Sequence, residues 1–201
     1  MNELKKRRIK TVLKYTWPFY IIGGVIIALG LNFIFGITHR LPDYKTLTLF
    51  VSGEVKDGDK LKNDVLEEFK DNELKSFSCI YANPTEGTYY SKLSIPGYNS
   101  ADVLIIPVSV LENLNVSAFA LDIDEKLYNS YYEGMNKYSQ NDIAYGIKIN
   151  KEKTNEYFAL PSEDCYMFLN AASKNIGEYS SEGVKEHNNA LKLVQDWGNN
   201  V

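Results

Sequence analysis

The chain has 201 residues, a formal net charge of −4, 44% hydrophobic residues, two cysteines and two histidines. Seven Lys/Arg against Glu3 alone give residues 1–42 a charge of +6, so residues 43–201 carry −10. An acidic domain of that kind does not suit nucleic acids or anionic lipid surfaces, whose phosphates are met by Lys and Arg.

Lys5, Lys6, Arg7, Arg8, Lys10 and Lys14 stand before Trp17–Ile37, 21 positions without a charged side chain. At about 1.5 Å per residue, a helix of that length covers roughly the 30 Å hydrocarbon core of a bilayer. The basic flank places the N-terminus in the cytoplasm and the remainder outside the cell membrane. A cleaved signal peptide is the rival reading, but Phe33-Ile34-Phe35-Gly36-Ile37 offers bulky residues where a peptidase needs small ones. The expectation is an uncleaved single-pass signal anchor: a cytoplasmic tail over 1–14, a transmembrane helix over 15–38, and a linker over 39–43. Tyr15, Trp17 and Tyr20 suit the inner interface, and Pro18 suits the first helical turn. Asn32 reads either as a hydrogen bond to a partner helix, beside Gly23, Gly24 and Ala28, or as an amide reaching interfacial water.

Residues 44–201 are enough for one domain with a sizeable core and not for two. Lys45–Ser52 has a strand pattern, broken by Gly53. Past Asp57-Gly58, Leu61, Val65, Leu66 and Phe69 share one helical face. Leu74–Tyr81 reads as a second strand ended by Asn83-Pro84, then a helical stretch over Thr85–Leu93 and a turn at Pro96-Gly97. The unbroken apolar run in Asp102–Pro107 suits a strand buried on both faces, and Val108–Leu114 a helix entered through Pro107. This β-α-β-α-β order predicts right-handed crossovers, a mostly parallel sheet and helices on both faces, an α/β class with a three-layer α/β/α sandwich. Lys126–Asp142, mixing Tyr with Asn, Ser and Gly, reads as a surface helix or ordered loop. Tyr145–Ile149, Glu156–Leu160 and Cys165–Asn170 read as further strands, the first two able to pair as a hairpin across Asn150–Asn155. Ala190, Leu191, Val194 and Trp197 give a closing helix.

Three segments carry a family resemblance: Leu47-Thr48-Leu49-Phe50-Val51-Ser52-Gly53, Ala101-Asp102-Val103-Leu104-Ile105-Ile106-Pro107, and Phe168-Leu169-Asn170-Ala171-Ala172-Ser173-Lys174-Asn175. Their order resembles the extracellular solute-binding proteins of ABC importers, of the maltose-binding type. Ala120-Leu121-Asp122-Ile123-Asp124 is similar to a further segment of that family. The resemblance covers about residues 45–125 and 165–198. It implies a periplasmic-binding-protein-like lobe, with the strand before Asn170 and the helix over Ala190–Trp197 returning the chain to it. Family members have two lobes that clasp sugars or peptides; here Ile123–Cys165 is too short for the second, which implies a single lobe and half a cleft.

In open α/β sheets ligands sit beyond the carboxyl ends of the strands. The candidate ligand-binding positions are therefore Ser52, Gly53 and Glu54, then Tyr81 and Asn83, then Ser109, with Tyr81, Tyr89 and Tyr90 as an aromatic platform. The same residues also read as turn formers and helix caps. The 15 tyrosines suit a protein or glycan interface, or reflect the Tyr, Asn, Lys and Ile drift of an AT-rich bacterial genome. Cys79 and Cys165, each in an apolar run, read as packed thiols in preference to a bridge. His39 beside the membrane and His187 on a polar helix face share no metal-ligand spacing.

No nucleophile elbow or phosphate-cradling glycine loop is present, and Asp122 and Asp124 carry no sign of desolvation. The expectation is a non-enzymatic protein without cofactor or metal, presenting an extracellular binding domain to a protein of a membrane transport or sensing complex. The alternative is a sugar or peptide receptor whose half-cleft is completed by a partner subunit.

Overall fold

The computed structural model describes residues 3–38 and 41–198, with side chains at 10–12, 14–33 and 41–198. The chain forms two compact units that divide between Leu41 and Pro42. His39 lies outside the described residues.

The first unit is one helix, α1 (Glu3–Thr38). Its segment Lys14–Phe33, 20 residues, is long and apolar enough to cross a membrane. Phe19 and Phe33 are 72% and 71% exposed, as lipid-facing side chains would be. Residues 3–14 of the expected tail are helical, and Pro18 stands in the helix interior instead of its first turn. There it withholds an N–H from the preceding turn. One turn away, the Thr16 hydroxyl donates to the Val12 carbonyl at 2.6 Å.

The second unit contains, in order, β1 (Thr46–Ser52), β2 (Glu54–Val55), α2 (Gly58–Glu68), β3 (Ser76–Ala82), α3 (Tyr89–Lys92), α4 (Tyr98–Ser100), β4 (Val103–Pro107) and α5 (Val108–Leu111). There follow α6 (Glu125–Leu127), β5 (Lys137–Gln140), β6 (Ile143–Lys148), α7 (Lys151–Thr154), β7 (Phe158–Ala159), β8 (Cys165–Leu169) and α8 (Asn189–Trp197). A six-stranded sheet runs β3-β1-β4-β8-β6-β5, and β2 pairs with β7 apart from it.

The sheet is mixed. β1 is parallel to both β3 and β4, as the β-α-β-α-β pattern predicts. From β4 outward every pairing is antiparallel: β4 with β8, β8 with β6, β6 with β5. The change arises because the chain after β4 builds a hairpin. Asn141 and Asp142, at φ 54° and 64°, close β5 onto β6, a conformation that Asn and Asp tolerate in two-residue turns. Lys137–Gln140 is thus a strand in a stretch expected to be helix or loop. Tyr132 in the same stretch is fully buried, its hydroxyl donating to the Leu191 carbonyl at 3.3 Å. β6 pairs with β5 and β8, not with β7, so the expected 145–160 hairpin does not form. Asn150 instead caps α7, accepting from the N–H groups of Glu152 and Lys153. Pro96-Gly97, expected as a turn, lies in a π-helical widening between α3 and α4, where a missing N–H is tolerated.

Alternation along the strands sorts side chains onto two faces. Leu47, Leu49, Val51, Val103, Ile105, Met167 and Leu169 meet Leu61 and Val65 of α2 and Leu191, Val194 and Trp197 of α8. Phe50, Leu104, Ile106 and Phe168 meet Tyr89, Leu93, Val110, Leu111 and Phe119. Helix α2 starts where Asp57 accepts from the Lys60 N–H at 2.9 Å, which satisfies one of the N–H groups left free at a helix start.

Both cysteines are free thiols. Burial pushes Cys79 up to about 12 and Cys165 up to about 11. A raised thiol pKa keeps the nucleophilic thiolate scarce, roughly one part in ten thousand and one in a thousand at pH 8. Iodoacetamide at pH 8 is therefore expected to leave both unmodified in the folded chain and to alkylate both in guanidinium. Mass spectrometry checks this; fast native labelling of either residue would contradict the burial.

Candidate functional site

Beyond the carboxyl ends of β1, β3 and β4 lies a groove of about 680 Å³. Four of the predicted positions, Gly53, Glu54, Asn83 and Ser109, line it together with Tyr90 and Glu163. The parallel strands end side by side there, which is why residues distant in sequence converge. Ser52 and Tyr81 are not part of the lining. Ser52 is fully buried and shares a 2.6 Å hydrogen bond with the Tyr89 hydroxyl. Tyr81 is 54% exposed on β3. Of the expected aromatic platform, Tyr89 belongs to the core, where burial pushes its hydroxyl up to about 12. Tyr90 packs edge-on against it and faces the groove.

Most of the polar groups at the groove are already engaged within the chain. The Ser109 N–H and hydroxyl both donate to the Glu163 carboxylate, at 2.8 and 2.6 Å. The Val108 N–H donates to the Asp164 carbonyl at 3.0 Å. Asn83 accepts from the N–H and hydroxyl of Thr85 at 3.1 and 2.9 Å, closing its own turn. Gly53 lies under the β2–β7 ribbon: a Cβ there would stand 2.7 Å from the Ala159 carbonyl oxygen. Close backbone approach thus accounts for this glycine.

The covering wall is residues 155–163, held from several sides. Lys151 donates to the carbonyls of Pro161 and Glu163, and Lys56 to that of Asn155. The Tyr157 hydroxyl donates to Asp64 on α2 at 2.9 Å, and its pKa is raised, by burial first and then by that carboxylate. Glu163, which follows Pro161-Ser162 in the sequence, is a groove residue that the sequence does not single out. No local pattern announces it, since its partner is 54 residues away.

The motif Asn170…Ser173-Lys174-Asn175 does its work at the opposite end of the sheet. Asp102, just before β4, accepts from the Thr48 N–H at 2.7 Å, the Ser173 hydroxyl at 2.5 Å and the Asn175 amide at 3.1 Å. The same Asn175 amide reaches the Thr46 carbonyl at 2.8 Å, and Asn170 donates to the carbonyls of Tyr98 and Ala101, both at 2.8 Å. Burial raises the Asp102 pKa, against the pull of these donors. The cluster ties the starts of β1 and β4 to the segment after β8; a cavity of about 290 Å³ opens beside it.

The tyrosines are largely structural. Tyr98 stacks on Phe119 at 4.4 Å, and Tyr138 lies 5.3 Å from Tyr166 and 5.7 Å from Phe168. His187 precedes α8 and stacks on Tyr44 at 3.7 Å, so the expected helix-face position is not found. Asp122 and Asp124 are exposed, and Asp124 caps α6 through the Leu127 N–H at 2.7 Å. No protein-family model matches the chain, and no curated protein matches it by sequence.

Proposed function

We propose that the chain is a single-pass membrane protein with its N-terminus in the cytoplasm, displaying a non-catalytic interaction domain outside the cell. The domain is a single three-layer α/β/α lobe of the solute-binding type, and its partner is a protein of a membrane transport or sensing assembly. Support for the lobe comes from the order β3-β1-β4 followed by an antiparallel β8 and then α8, the return that the resemblance implies. Support for anchoring comes from Lys14–Phe33 and the basic residues before it.

The observation that carries the interaction reading is the self-occupied groove. Glu163 takes both donors at Ser109, and the Ala159 carbonyl covers Gly53. A small ligand that used these groups would have to displace these contacts. The second reading, a sugar or peptide receptor completed by another subunit, draws on the groove volume of about 680 Å³ and on exposed Glu54 and Tyr90.

Two measurements on the full chain in detergent separate the readings. Affinity capture from membranes is expected to retain a membrane protein in ligand-free buffer. A thermal-shift panel of sugars and peptides at millimolar concentration is expected to leave Tm unchanged. A rise of several degrees with one ligand, or capture only in its presence, would favour the receptor.

A further inference from the structure

The two edges of the six-stranded sheet are built differently. At one, β5 carries Lys137 and a register shift between Tyr138 and Ser139; a lysine and a bulge are both devices that deter edge-to-edge pairing. At the other, β3 reads Ser76-Phe77-Ser78-Cys79-Ile80-Tyr81-Ala82, seven residues without a charge or a proline, and its register with β1 runs unbroken. Among the described residues, the only backbone hydrogen bond to β3 outside the β1 ladder is from the Gly53 N–H to the Ala82 carbonyl. Ser78 is exposed, and Tyr81 is 54% exposed, on a strand whose other aromatic, Phe77, is buried. An open edge of this kind is a template for another strand.

We infer that the β3 edge is an interface between two copies of this chain, paired antiparallel about a two-fold axis at Cys79. A two-fold interface must be self-complementary, and this strand is. With Cys79 opposite its copy, Ser76 faces Ala82, Phe77 faces Tyr81 and Ser78 faces Ile80. Each exposed Tyr81 then stands opposite a partner's Phe77, an aromatic cross-strand pairing of the kind that stabilises sheets. Just outside the strand Lys75 faces Asn83, so no like charges meet. The −10 carried by residues 43–201 of each copy repels at long range, but such repulsion is screened beyond about 8 Å at physiological salt, and the edge itself is neutral. A lysine-bearing or bulged strand would forfeit this fit.

Ser78 and its copy become diagonal neighbours, about 7–8 Å apart. The full chain carrying Ser78→Cys in a Cys79→Ala, Cys165→Ala background, in detergent, is treated with a short bis-maleimide, and its mass is measured by light scattering. A dimer mass and a cross-linked band are expected. Adding Tyr81→Lys, at an exposed position, is expected to cut the cross-linked yield at least tenfold and leave a monomer with an unchanged circular dichroism spectrum. A monomer without cross-link would overturn the inference. So would a dimer that fails to cross-link at Ser78 or ignores Tyr81→Lys, because its interface would then lie elsewhere.

Discussion

Asp102→Ala is expected to destabilise the protein by about 2–4 kcal/mol, because it takes the shared acceptor away from three donors of a largely buried cluster. In wild type those donors are the Thr48 N–H, the Ser173 hydroxyl and the Asn175 amide. At roughly 2–4 °C per kcal/mol for a chain of this size, Tm should fall by about 5–15 °C. Ser173→Ala in the Asp102→Ala background should add little, since its acceptor is already gone; full additivity would mean that the cluster does not act as a unit. The pH dependence has a definite sign. A carboxyl whose folded pKa is raised contributes stability that is present below its ordinary value and lost as pH rises through the folded value. Asp102 is such a group. The stability of wild type relative to Asp102→Asn should therefore shift in favour of wild type as pH is lowered from 7 to below 4. Acid titration of both proteins, followed by denaturant unfolding, checks this, and a shift in the other direction would place the Asp102 pKa below normal.

The cluster also shows what a sequence motif conveys and what it conceals. Asn170, Ser173 and Asn175 stand in a segment that resembles a family pattern, yet nothing in the pattern says that Asp102 is their object. That partnership spans 71 residues between Ser173 and Asp102 and exists only after β8 has docked beside β4. The parallel strands were legible because burial on both faces gives continuous apolar runs, as in Val103–Ile106. β5 was not, because Lys137 to Gln140 alternates between exposed and half-buried positions and contributes only polar and aromatic side chains. Its one local mark is Asn141-Asp142, a two-residue turn signal that the surrounding tyrosines obscured. The ligand-site positions were legible as strand ends, whereas their engagement by Glu163 and Ala159 depended on where residues 155–163 fold back.

The largest packing effect should come from Phe168, and its argument runs through a glycine. Phe168 is fully buried, with Phe119 at 6.1 Å and Tyr138 at 5.7 Å from its ring. On the neighbouring strand Gly146 lies directly opposite it, and a Cβ there would stand 2.7 Å from Phe168 Cε1. The ring thus occupies the space a side chain at 146 would need. Phe168→Ala should cost about 3–5 kcal/mol, the range for deleting a buried aromatic, and Gly146→Ala about 1–3 kcal/mol through overpacking. The two costs arise from one volume, so they should not add. Joining Gly146→Ala to Phe168→Leu should relieve the clash, leaving the pair more stable than the sum of the single changes by about 1 kcal/mol or more. Denaturant unfolding of the four proteins measures this coupling. Simple additivity would mean that the backbone of β6 yields to a methyl group without help from the ring, and the close seat of β6 against β8 would not be what fixes glycine at 146.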